Sequence, residues 1–173
     1  MRIDLHCHSS TSDGTDTPAE LVEAAPIAGL DVLAITDHDT TAGWSEAVQA
    51  LPRGVALVRG MELSCEAVSS SGGRVPVHLL GYLFDPVHPP LAAELARLQG
   101  ERSRRLRVMA ERMAADGLPI DPAAVLANAG PSAGRPHLGR ALVEAGVVPT
   151  VGAAFEHLLS SRGGYYVHKE DVP

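Results

Sequence analysis

The chain has 173 residues, 45% of them hydrophobic and 3% aromatic, with 21 acidic against 14 basic residues and a net charge of −7. That length fits one domain with a core of Leu, Val, Ala and Ile; the acidic balance argues against a broad basic surface for long duplex nucleic acid but leaves room for a small phosphorylated substrate, because bound cations would supply local positive charge. No apolar run reaches membrane-span length, Asp4 and His6 stand where a signal peptide would need apolar residues, and Cys7 and Cys65 offer no disulfide framework, so the expectation is a soluble, reduced, cytoplasmic protein.

Ile3 to His8 reads as a first strand. Side chains alternate along a strand, so His6 and His8 share a face with Asp4, and Cys7 points the other way. Thr17-Pro18-Ala19-Glu20 is a helix start, with Thr17 as cap, Pro18 at the first helical position and Glu20 completing a capping box. The helix should run to about Ala28 and stop at Gly29, with Pro26 kinking it or ending it early. Leu30–Ile35 is a second strand. A short helix over Gly43–Ala50, a strand from Val55 to Glu62, a turn at Ser69–Gly73 and a strand over Val75–Phe84 follow. This alternation implies parallel βαβ units.

After Asp85 the period changes. Leu91, Leu95, Leu98, Leu106, Met109 and Met113 fall at helical spacing, interrupted by Arg102. Arg104, Arg105, Arg107 and Arg112 lie largely off that stripe and read as a solvated face in preference to a phosphate-facing basic helix. Thirteen of the 14 basic residues are Arg, which with the heavy Ala, Gly and Pro usage reads as coding bias rather than a functional signal. Further helices are expected from Asp121-Pro122 to Ala129, from Arg135 through Ala145, and over 151–160. The α/β fold thus divides into strands at 1–85, a helical insertion at 86–162, and a return to the strand layer at 163–173.

Two strand ends carry polar clusters. His6 and His8 on one face make a metal half-site, and Thr36-Asp37-His38-Asp39-Thr40 closes the apolar run Val32–Ile35. Asp13, Glu62 and His78 add donors at further strand ends or loops. All are N or O ligands of the type hydrolytic metals take, set where α/β sheets place their sites.

Asp4-Leu5-His6-Cys7-His8-Ser9, Ser12-Asp13-Gly14, Ala34 to Thr40, Gly60 to Ser64, His78 to Tyr82, Gly134-Arg135-Pro136-His137 and Arg162 to Val167 together resemble the PHP family, the polymerase and histidinol phosphatase superfamily. Within it the chain is most similar to nucleoside 3′,5′-bisphosphate phosphatases and a 5′-to-3′ exoribonuclease of short RNA. The resemblance implies a distorted seven-stranded β/α barrel with up to three divalent ions, Mn, Fe or Zn, at its mouth. It implies His6, His8, Asp13, His38, Glu62 and His78 as ligands, with Glu62 bridging. Asp4, Asp37 and Asp39 would be supporting acids, Asp4 orienting an imidazole.

Arg135 and His137 become candidates for holding substrate phosphate at a helix start. The implied chemistry is in-line attack on a phosphate ester of a nucleotide or short oligonucleotide by a metal-activated hydroxide.

The family's pattern continues past Pro173 with another histidine, an Asp-x-His pair and the strands that close the barrel; His157 and His168 do not replace them. The expectation is an incomplete barrel and weak turnover from 1–173 alone. Competing readings are a catalytically impaired PHP domain, a polymerase-associated PHP module, and an amidohydrolase-type barrel. The last would need a mid-barrel lysine, and the chain's one lysine is Lys169.

Overall fold

The computed structural model describes residues 1–130 and 132–168. The chain divides into two compact units, Met1–Leu98 and a second that begins at Gln99. Lys169 and the last residues of the expected return segment lie outside the described residues.

The first unit holds a four-stranded sheet in the order β1 (Ile3–Cys7), β2 (Val32–Ile35), β3 (Ala56–Val68), β4 (Arg74–Tyr82). β1, β2 and β3 run parallel, as the βαβ pattern predicts. β4 departs from that pattern. It pairs antiparallel with β3 from Gly60↔Tyr82 to Val68↔Arg74, because β3 continues past Glu62 to the Ser69–Gly73 turn. Two strands joined by so short a turn can only form a hairpin; a parallel pair needs a crossover. Gly72 supplies the turn's positive φ of 81°.

Helix α1 (Pro18–Ile27) begins as expected. The Thr17 hydroxyl accepts the Glu20 N–H at 3.2 Å, and Glu20 accepts the Thr17 N–H at 2.8 Å. Pro26 does not end the helix: Ala28 N–H still reaches the Ala24 carbonyl at 3.0 Å. Pro26 is exposed and sits one residue from the terminus, so only one intrahelical bond is lost. Val22 and Ala25 of α1, Trp44 and Ala47 of α2 (Trp44–Gln49), and Leu33 and Ile35 of β2 form the core of this unit. Cys7 packs against that core.

Helix α3 (Pro89–Ala115) spans the boundary between the units. In the second unit it is followed by α4 (Pro122–Ala129), capped by Asp121, then α5 (Arg135–Glu144), α6 (Val151–Ala154) and a π-helical turn, Phe155–Leu159. Leu106, Met109 and Met113 of α3 join Val125, Leu138, Leu142 and Leu159 in a separate core. Arg104, Arg107 and Arg112 are exposed, as a solvated face requires. Arg105 is not: only 9% of it is accessible. No described helix is long and apolar enough to cross a membrane.

Candidate metal centre

Glu62 is the hub of the strand-end cluster. The isolated parallel bridge His38↔Glu62 lies three residues beyond Ile35↔Arg59, the last pair of β2 with β3. Glu62 N–H donates to the Asp37 carbonyl at 3.2 Å, and Asp39 N–H donates to the Glu62 carbonyl at 3.1 Å. The Glu62 side chain is only 6% exposed and meets four imidazoles. Its Oε2 lies 2.7 Å from His6 Nε2, 2.9 Å from His8 Nε2 and 3.8 Å from His38 Nδ1. Its Oε1 contacts His78 Nδ1. Asp13 closes the other side, 3.2 Å from His8 Nδ1 and 3.6 Å from His38 Nε2.

These six residues form three donor triads: His6–His8–Glu62, His8–Asp13–His38 and His38–Glu62–His78. Each pair of triads shares one corner. Two donors about 2.1 Å from one ion, at tetrahedral or octahedral angles, lie roughly 3.0–3.4 Å apart. Distances of 2.7 to 3.8 Å between donor atoms bracket that spacing. The donor set fits a divalent ion, because it mixes imidazole and carboxylate donors.

Electrostatics in the ring follow from the crowding. Burial opposes charge on Glu62, yet the His6 hydrogen bond and the charges of His38, His78 and His8 hold its carboxyl below the ordinary value. Burial likewise opposes charge on His8, yet the Asp13 contact and the charges of Glu62 and Asp37 raise it above the ordinary imidazole. Burial raises Asp37 against the hydrogen bonds it accepts.

Behind the ring, two buried aspartates flank His38. Asp37 accepts from Ser9 N–H at 2.8 Å, Ser9 Oγ at 2.7 Å and Ser12 Oγ at 2.6 Å. Asp39 accepts from Ser64 N–H and Oγ. Ser9, Ser12 and Ser64 thus belong to the site's support, and nothing in their spacing singles them out. Asp4 does not orient an imidazole. β1 carries a register shift between Asp4 and Cys7, which breaks strict alternation. Asp4 instead accepts the backbone N–H of His6 at 3.0 Å and hydrogen-bonds the Cys7 thiol.

Arg135 and His137 belong to the second unit, at the start of α5. Arg135 Nη1 donates to the Leu159 carbonyl at 2.9 Å, and its guanidinium lies over the rings of Phe155 and Tyr166. His137 is buried, and its Nδ1 accepts the Gly134 N–H at 3.2 Å. It stands where the carboxylate of a capping box would stand.

The parallel strands and the imidazole–carboxylate ring at their ends define an α/β domain with a metal-type donor set. The PHP domain model matches residues 4–112, and the chain belongs to that family. It is 37% identical over 177 residues to the 5′-3′ exoribonuclease of Haemophilus influenzae, an alignment covering 99% of this chain and 62% of that protein. It is 37% identical over 171 residues to the 3′,5′-nucleoside bisphosphate phosphatase of Chromobacterium violaceum, covering 96% and 58%. A Bifidobacterium adolescentis crystal structure assigned as a metal-dependent phosphoesterase superposes with a TM-score of 0.89 at 39% identity, covering 98% of this chain and 59% of that one. The chain spans about three fifths of the length of these relatives. Its sheet is part of a PHP β/α barrel.

Proposed function

We propose that this chain carries the divalent-metal centre of a phosphoesterase acting on nucleotides or short oligonucleotides. His6, His8, Asp13, His38, Glu62 and His78 are its metal ligands. The observation that carries the reading is the Glu62 carboxylate, buried and bracketed by four imidazoles: His6 on β1, His8 just after it, His38 in the segment after β2, and His78 on β4. A lone buried carboxylate is costly; one surrounded by ring nitrogens is a ligand in waiting. Both Glu62 oxygens are engaged, which suits a bridging role.

Divalent ions in such a site supply Lewis-acid activation of water and neutralise charge developing on phosphoryl oxygens. The chain's own residues set the geometry. Asp37 and Asp39 fix the loop that carries His38, and the Glu62 backbone is pinned by hydrogen bonds to both. Arg135 and His137 are proposed to hold substrate phosphate. Arg135 offers a planar fork held between two rings. His137 accepts the Gly134 N–H at Nδ1, which puts the proton of the neutral ring on Nε2.

The substrate class is supported by relatives named as a nucleoside bisphosphate phosphatase and an exoribonuclease, and by the net charge of −7, which disfavours long duplexes. The test uses the protein that carries this chain, loaded with Mn, Fe or Zn in turn. Nucleoside 3′,5′-bisphosphates, mononucleotides, short RNA and histidinol phosphate are compared. The nucleotide group is expected to be hydrolysed best, with metal lost in Glu62→Gln and His6→Ala/His8→Ala. Preference for histidinol phosphate, or metal content indifferent to these changes, overturns the reading.

A further inference from the structure

Tyr82 lies on β4, and its hydroxyl donates to the Leu5 carbonyl of β1 at 2.8 Å. β1 and β4 are the two edges of the sheet, with β2 and β3 between them. In a flat sheet with strands about 4.8 Å apart, the outer strands would stand roughly 14 Å from each other, beyond the reach of one side chain. The bond forms because the sheet curls on itself. Its path crosses Gly60, which faces Tyr82 on β3. A Cβ at Gly60 would stand 2.7 Å from the Tyr82 ring and 3.0 Å from the Thr36 methyl. Glycine here supplies room for the ring.

The bond falls on the peptide that carries His6. The register of β1 on β2 shifts between Asp4 and Cys7, and irregularities of this kind re-aim side chains beside functional sites. The Leu5–His6 peptide sits in that stretch. Its N–H donates to Asp4 Oδ1 at 3.0 Å, and its carbonyl accepts the Tyr82 hydroxyl. Both polar ends of one peptide plane are thus held by side chains. That plane sets the direction in which the His6 side chain leaves the strand, and His6 Nε2 then meets Glu62 Oε2 at 2.7 Å. Tyr82 also shares β4 with His78, four residues earlier and on the same face. His78 meets the other Glu62 oxygen, Oε1. One hydroxyl therefore ties the strand of His78 to the peptide of His6, on the two sides of a single carboxylate.

We propose that Tyr82 is a positioning residue of the metal centre: by bridging β4 to the Leu5–His6 peptide it fixes the spacing of His6 and His78 about Glu62, and with it the affinity for ions held by those donors. The proposal rests on the reading that these residues bind metal. Tyr82 acts through the backbone, its hydroxyl proton being committed to the Leu5 carbonyl. Asp4 grips the same peptide from its other end. Losing either bond frees the plane, so the effects of losing both should fall well short of additive.

The experiment titrates cobalt(II) into the whole chain after chelator treatment. Its ligand-field bands change with the number of nitrogen donors, and melting of the metal-free chain is followed in parallel. Tyr82→Phe keeps the ring and removes only the bond. It is expected to weaken cobalt binding at least about tenfold and to alter the bands, with metal-free melting close to that of the parent. Asp4→Ala should weaken binding similarly, and the double variant should bind little worse than the weaker single one. Val22→Ala, in the core on α1, should lower the melting temperature and leave cobalt binding unchanged, which separates position from stability. Should Tyr82→Phe fail to fold, Gly60→Ala, which forces the ring aside, takes its place with the same expectation. Cobalt affinity and bands indifferent to Tyr82→Phe, in a parent that binds cobalt, overturn the proposal alone. An equal loss of binding in Val22→Ala overturns it too, as do losses that multiply in the double variant. A parent chain that takes up no cobalt sinks the metal-centre reading, and the proposal falls with it.

Discussion

Asp39 and Ser64 form a two-point lock between the loop after β2 and the middle of β3. The carboxylate accepts the Ser64 N–H at 2.7 Å and its hydroxyl at 2.9 Å, and Asp39 holds a φ of 51° to do so. A residue that is 0% exposed and bears positive φ is affordable only where its bonds repay the strain. Asp39→Ala orphans two donors beside Glu62. It is expected to cost about 2–4 kcal/mol of stability and to lower metal affinity about 10- to 100-fold. Urea unfolding and metal titration measure the two effects. Metal affinity unchanged at intact fold would mean that the lock serves stability alone.

Gly14 is required by close approach. A Cβ there would stand 2.3 Å from the His8 carbonyl oxygen and 2.8 Å from the Ser9 carbonyl carbon, both backbone atoms. Gly14 N–H also donates to the Ser9 carbonyl at 2.9 Å, closing the loop that carries Asp13. Gly14→Ala must push that loop outward and carry Asp13 away from His8 and His38. The expected loss is about 1–3 kcal/mol, with metal affinity down at least tenfold. Unfolding curves and metal content near those of the parent would show that the loop yields without moving Asp13.

What the sequence made legible was local chemistry. The Thr17–Glu20 capping box, the Asp121 cap and the His6/His8 pair all appear where residue type and spacing place them. What escaped was tertiary in origin. The direction of β4 depends on how far β3 runs, and nothing in Leu63–Val68 marks an end at Glu62. The β1 irregularity turned Asp4 from an imidazole toward a thiol. Arg105 reads as one more cation on a basic helix, and its burial comes from the Tyr165–Val167 segment, far along the chain. The serines behind Asp37 and Asp39 stand inside the motifs that carry the resemblance, but their residue type and spacing alone assign them no role.

Cys7 is expected to be chemically inert. Burial, then the hydrogen bond and negative charge of Asp4, push its thiol up to about 12. At pH 8 that leaves roughly one thiolate in 10⁴, against roughly a quarter for an ordinary thiol. Iodoacetamide labelling read by mass spectrometry should modify Cys7 at least about 100-fold more slowly in the folded chain than in urea. Asp4→Asn should speed the folded-state reaction, because it removes the negative charge that disfavours the thiolate. Equal rates in folded and unfolded chain would refute this picture of Cys7.

The α1 capping box makes a signed prediction about acid. Glu20 accepts the Thr17 N–H and hydroxyl at 2.8 and 2.9 Å, and these bonds hold its carboxyl below the ordinary 4.5. A carboxylate whose folded value is depressed adds stability that is fully present above the unfolded value and fades as pH falls through the folded one. Glu20→Gln keeps a capping-box acceptor but removes the titration. Wild type should therefore unfold at higher temperature than Glu20→Gln at pH 7. The gap should begin to close as pH falls below about 4.5 and vanish once Glu20 is protonated in the folded chain. Melting curves of both proteins between pH 7 and pH 3 measure it. A gap that stays constant across that range would mean that the Glu20 charge contributes nothing to the cap.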